Sequence, residues 1–197
     1  PDTRPPTAAG FGVSAAHEGF AALPGVTREL EMIFSGSDGI GTLHGEPHID
    51  RSFNESSLKA ALREKPRYLH IASHFKFEPG NEDNSFLLLG NGEHLGLGAL
   101  RSDPDLHFSG VDLLTLSACE TARGGGAEGE EIESFGALAQ QNGASAVMAT
   151  LWQIADESTA SLMADFYRGR VVDDLDKATA LQRAQIAMIK GKPATEV

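Results

Sequence analysis

One cysteine in 197 residues leaves no partner for an internal disulfide. A lone thiol suits a reducing compartment, and the cytoplasm is the expected location. Long apolar runs are missing too. The longest fall far short of a bilayer span and no secretory signal pattern opens the chain, so no membrane partner is expected. Positive charge is scarce: 16 Lys and Arg against 28 Asp and Glu leave a formal net charge of −12. That balance disfavours sequence-independent nucleic-acid binding, while an acidic surface could attract a basic partner or substrate. There is no G-x-S-x-G, which rules out a serine site of the α/β-hydrolase kind. An initiator Met is also lacking. The opening Pro1-Asp2-Thr3-Arg4-Pro5-Pro6 reads as a linker cut from a longer protein, whose remainder would carry targeting or regulation.

Two stretches of similar design stand out. Val111 to Leu116 is a nearly continuous run of strand-formers, and the only cysteine, Cys119, comes just after it. Tyr68-Leu69-His70-Ile71-Ala72-Ser73 is a second apolar strand, and His74 follows it. Runs of this kind suit strands buried on both faces of a parallel sheet. Chemistry collects at the carboxyl ends of such strands. Parallel neighbours lie ~4.8 Å apart, so a cysteine and a histidine just beyond two adjacent ends come within reach of proton transfer. A neighbouring imidazole favours thiolate, the reactive form of cysteine. The small residues Ser117 and Ala118 before Cys119 and the glycines after it leave room for a substrate backbone.

The rest of the chain supplies a frame. Residues 1–10 read as flexible, and Phe11 to Leu23 as irregular or as a short edge strand, so residues 1–22 are set apart from a single domain over 23–197. Helical spacing predicts a helix from Val26 to Phe34, with Glu29 and Glu31 facing water. Asn54 is a good N-cap for a helix ending before Pro66. Phe86 to Leu95, turning at Gly90-Asn91-Gly92, reads as a hairpin. Further helices are expected over Glu130–Gln141, from Asp156, and over Asp174–Lys190, the last with Leu181, Ala184 and Met188 inward. Ala144 to Leu151 reads as another buried strand. Alternation of this kind predicts an α/β fold, a three-layer sandwich with a mostly parallel sheet between helices.

Other groupings weigh less. As one strand, Leu43 to Asp50 would bring His44, Glu46, His48 and Asp50 onto one face in the manner of a metal site. Pro47 confines it to an edge, where a polar face is simply solvated, so no metal is expected. Gly124, Gly126 and Gly129 spell G-x-G-x-x-G, but Gly124 comes seven positions after Ser117. Glu120, Glu128, Glu130 and Glu131 would also repel phosphate, so no nucleotide cofactor is expected. Asp156 is suited to capping the helix it precedes, and its carboxylate could equally face the carboxyl-end cleft. Trp152 beside it reads as core or as a pocket wall. His70, inside its strand, reads as structural.

Taken together, His70-Ile71-Ala72-Ser73-His74, Ser85-Phe86-Leu87-Leu88-Leu89-Gly90, Leu116 to Ala122 and Leu151-Trp152-Gln153-Ile154-Ala155-Asp156 resemble the CHAT domain. That family is the caspase-like protease module often joined to TPR repeats. The resemblance runs from about Leu23 to Lys190. It implies the caspase-haemoglobinase fold, a His74/Cys119 dyad acting on protein or peptide substrates, and an oxyanion hole from the backbone N–H groups of Phe75 and Cys119. Many members carry glycine where this chain has Phe75, which leaves the orientation of that amide and the cleft entrance open. Similarity to separase around Leu151–Asp156 implies that Asp156 forms the base of a specificity pocket for a basic residue. No cofactor is implied. The competing reading is a catalytically silent caspase-like module that passes signals from an attached repeat domain.

Overall fold

The computed structural model describes residues 7–35, 41–76, 84–117, 130–149 and 156–191, without the side chains of 130–135 and 156–157. A parallel sheet of five strands forms the middle layer. In spatial order these are β10 (Val147–Ala149), β9 (Leu113–Ser117), β5 (Tyr68–Ala72), β1 (Ala8–Gly12) and β4 (His48–Ile49), numbered along the chain. β5 and β9 are buried at every position, as their apolar runs require.

Helices α1 (Gly25–Ile33), α5 (Asp156–Val171) and α6 (Lys177–Lys190) share one core with the sheet, centred on Leu30, Ile33, Phe166 and Tyr167. The core on the other face joins α2 (Glu55–Arg63), α3 (Leu97–Ser102) and, through Leu138 and Ala139, α4 (Glu130–Gln141). An antiparallel meander of β6 (Phe75–Lys76), β7 (Phe86–Leu88) and β8 (His94–Gly96) joins this second core. The three-layer α/β sandwich follows from this arrangement. A small ladder of β2 (Phe34–Ser35) with β3 (Leu43–His44) touches the main sheet through a single parallel bridge from His44 to Thr7, just before β1. Asn54 caps α2 in a reciprocal box with Ser57. At the amino ends of β5 and β9, Asp112 meets Lys177 (2.6 Å), Arg170 (3.8 Å) and Arg67 (3.9 Å), which ties α5 and α6 to the sheet. No helix among the described residues is long and apolar enough to cross a membrane.

Several expectations need correction. Ala8–Gly12 is neither flexible nor at an edge: β1 lies inside the sheet, paired with both β5 and β4. Its composition hides this, because Ala and Gly are poor strand-formers. The reason is close approach. A Cβ on Gly10 would sit 2.5 Å from the Phe34 ring, and one on Gly12 would sit 2.6 Å from Leu30 and Val26, so α1 packs directly on the bare backbone. Glu29 is buried, not solvated. The stretch from Leu43 to Asp50 is broken: β3 and β4 belong to different sheets, and Asp50 opens a 3-10 turn, so its polar side chains form no single row. Val147–Ala149 is only partly buried because β10 is an edge. On α6 the inward stripe is Ala180, Ala184 and Ala187. Met188 is 42% exposed, since α6 lies too close to α5 for a long side chain.

Candidate functional site

β5 and β9 are direct neighbours. Their register pairs Ala72 with Ser117, and the Ser73 N–H continues the ladder to the Ser117 carbonyl at 3.2 Å. The two strands that sequence patterning singled out therefore end side by side. His74 lies two residues beyond the end of β5. Cys119 and Trp152 lie outside the described residues. Asp156 is the first residue of α5, and its side chain is likewise outside them.

His74 is held by its backbone and by its ring. Its carbonyl accepts from the Leu88 N–H at 2.9 Å, and the Ser73 hydroxyl donates to the Leu88 carbonyl at 2.6 Å. These bonds join the end of β5 to the meander. The imidazole has no exposed surface. Its Nε2 lies 2.9 Å from the Ala21 carbonyl, which can only accept, so Nε2 carries the hydrogen. In the neutral ring, Nδ1 then holds the basic lone pair. Phe20 packs on His74 with centroids 5.0 Å apart and meets Phe86 at 6.0 Å, while Phe86 stacks on His94 at 3.6 Å. Burial first, and then the Lys76 ammonium, lower the His94 pKa below the ordinary imidazole value.

The Phe75 ring is buried in the core with Leu87 and Leu88. Leu88 N–H bonding to His74 marks these two as a hydrogen-bonded pair of the antiparallel ladder. Phe75 and Leu87 form the intervening pair, so the Phe75 N–H points away from β7.

His70 belongs to a separate polar chain beneath the site. Tyr167 donates its hydroxyl to Thr115 Oγ1 at 2.8 Å, and its oxygen accepts from His70 Nδ1–H at 3.2 Å. On the other edge of the ring, Nε2 is hydrogen-bonded to Glu29 Oε1 at 3.0 Å. Burial pushes the Tyr167 pKa well up, so the hydroxyl remains a donor. Glu29 is buried because this bond offsets the cost of removing a carboxyl from water. His70 is thus a structural residue that joins α1, α5 and two strands.

Sequence reasoning missed Phe20 and Ala21. Ala21 acts through its carbonyl, which every residue possesses, so residue type carries no signal. Among the described residues, no group of three or more side chains of metal-binding type gathers at one point.

Compared with known families, residues 2–196 match the model of the CHAT domain, essentially the whole chain. No curated protein matches the sequence significantly.

Proposed function

The chain belongs to the CHAT domain family, caspase-like and related to the cysteine peptidases, and from that premise we propose that it is a cysteine endopeptidase domain using Cys119 and His74. The observation that supports the proposal is the pairing of β5 with β9, whose last paired residues, Ala72 and Ser117, each come two positions before a member of the proposed dyad in the sequence. The Nε2 bond to Ala21 supports the same assignment, because it leaves Nδ1 as the base.

His74 Nδ1 takes the thiol proton of Cys119. The thiolate attacks the scissile carbonyl carbon, forming a C–S bond and a tetrahedral oxyanion. The N–H groups of Phe75 and Cys119 stabilise that oxyanion. As it collapses, the C–N bond breaks and the departing amine takes the proton from Nδ1. Water then hydrolyses the thioester, with His74 again as base. Asp156, at the start of α5, would hold a basic residue before the cleaved bond, with Trp152 as a wall of that pocket.

The domain works in the cytoplasm on protein or peptide substrates, under the control of an attached or partner repeat domain of TPR type. The complete burial of His74 supports a latent resting state. A path must open on the Nδ1 edge of the ring, since Ala21 holds the other edge.

The test uses an active-site-directed peptide electrophile and a peptide library. Cys119 should be the labelled atom, and Cys119→Ala should abolish both labelling and cleavage while denaturing like the wild type. Truncating a cysteine beyond a strand end costs far less than the ~2–5 kcal/mol of a large core truncation. Unchanged cleavage by Cys119→Ala would overturn the mechanism, and a wild type that neither labels nor cleaves when engaged by its repeat domain would leave the silent interaction module standing.

A further inference from the structure

We propose that Asp50 is a positioning residue for His74, acting as a clamp on the loop whose Ala21 carbonyl orients the imidazole. The clamp rests on the peptidase reading for its function, but its geometry stands independently.

Asp50 directly follows edge strand β4, whose Ile49 pairs with Gly12 of β1. Its backbone is left-handed, with φ 51°, a conformation that aspartate tolerates better than most residues. In that conformation the carboxylate meets the chain leaving β1. Oδ1 accepts from the Ser14 N–H at 2.7 Å and the Ala15 N–H at 3.0 Å, and Oδ2 accepts from the Ser14 hydroxyl at 2.7 Å. One side chain therefore takes three hydrogen bonds from two consecutive residues, charge-assisted and short.

Those residues form the neck of a closed loop. The Leu23 N–H returns to the Ser14 carbonyl at 3.0 Å, and His17 and Phe20 exchange backbone bonds of 3.1 and 2.9 Å across the interior. Ala21 follows Phe20 and accepts from His74 Nε2. Phe20 lays its ring on the imidazole. The loop is thus a short braced arm with Asp50 at its base and the His74 ring at its tip. The base is seated from the other side as well. A Cβ on Gly90, in the hairpin after β7, would run into the Asp50 carbonyl, so that glycine lets the hairpin close on Asp50.

A group that fixes the tautomer of a general base changes rate without touching substrate, as misplacement by ~1 Å can cost about 100-fold. Three variants separate the clamp from mere fold maintenance. Asp50→Gly keeps the left-handed backbone and removes every clamp bond. Asp50→Asn keeps that backbone and an oxygen for the two amides. Ser14→Ala removes the hydroxyl bond and leaves φ at position 50 alone.

The measurement is the 15N shifts of the histidine rings in the whole 197-residue chain, with His70 as the internal control for an intact core. In the wild type, His74 should show a protonated Nε2 and an unprotonated Nδ1. In Asp50→Gly these two shifts should move toward each other as tautomers mix, while His70 stays unchanged. Asp50→Asn should restore the wild-type pattern, and Ser14→Ala should shift partway. Where cleavage is measured, kcat should fall about tenfold or more in Asp50→Gly with KM within about twofold. Unaltered His74 shifts in Asp50→Gly overturn the proposal, as does an Asn variant as disturbed as the Gly one. If Asp50→Gly does not fold, Ser14→Ala decides, and an unmoved His74 there sinks the clamp. A wild type still inactive when engaged by its attached repeat domain would refute the peptidase reading alone, since the ring shifts still judge the clamp.

Discussion

Asp156 opens α5, and the proposed function gives its carboxylate the further task of holding a cationic side chain. A carboxylate takes a guanidinium through two parallel bonds, which an ammonium cannot match, so cleavage should favour Arg over Lys before the scissile bond. Asp156→Asn separates the tasks, because asparagine caps a helix but carries no charge. The variant should lose the basic preference in a peptide-library profile, and a retained preference would reduce Asp156 to a cap. Asp50 makes a prediction about acid. Partial burial opposes its charge, but hydrogen bonds from the Ala15 N–H, the Ser14 hydroxyl and the Ser14 N–H, with His17 nearby, outweigh it. Its pKa is held below the ordinary 3.8. The unfolded chain therefore takes up the proton first, so the stabilisation is complete above about pH 4 and is lost as pH falls further. The stability difference between wild type and Asp50→Asn should be level near neutrality and shrink below about pH 4. A difference that persists unchanged through that window would refute the assignment. His74 was legible in the sequence because it ends an apolar run. Asp50 was visible only as one of four metal-type residues at alternate positions. Its true task depends on a left-handed φ and on a neighbour 36 residues away, neither of which residue type encodes.

Among the elements, α1, α5, β5 and β9 are joined by the Glu29–His70–Tyr167–Thr115 chain. Tyr167→Phe keeps the ring in its core and deletes the shared oxygen, leaving His70 Nδ1–H buried with no acceptor there. The expected loss is about 1–3 kcal/mol in chemical denaturation, with the slope of the transition unchanged. A loss within error of zero would mean that the chain contributes nothing net. Elements with strong patterning were readable: the runs of β5 and β9, the hairpin at Gly90-Asn91-Gly92, and α2 with its Asn54 cap. β1 was not, because Ala8-Ala9-Gly10-Phe11-Gly12 owes its place to a helix lying on it and not to strand propensity. Of the α6 residues read as inward, Ala184 and Leu181 do meet the core, and Met188 was misplaced. The alanine stripe of α6 reports how near α5 lies, whereas hydrophobicity alone pointed to Met188. Glu29 escaped notice because its partner is distant in sequence.

For the molecule as a whole, alternating helix and strand patterns were enough to give the layered architecture, since parallel neighbours need crossovers that pack on the sheet. The same scale carries the prediction of latency. With His74 wholly buried, the chain alone should cleave peptides at least about tenfold more slowly than the same domain engaged by its attached repeat domain. Equal rates would refute this. The placing of β9 beside β5 also bears on how the protein is made. About 45 residues separate Ala72 from its partner Ser117, and a ribosome takes on the order of several seconds to add them. Through that interval a nascent chain holds only the histidine half of the proposed dyad, so it cannot attack the translation machinery around it. During the same seconds the edge of β5 that awaits β9 lies open, and it is there that a chaperone, or a neighbouring nascent chain, would bind first.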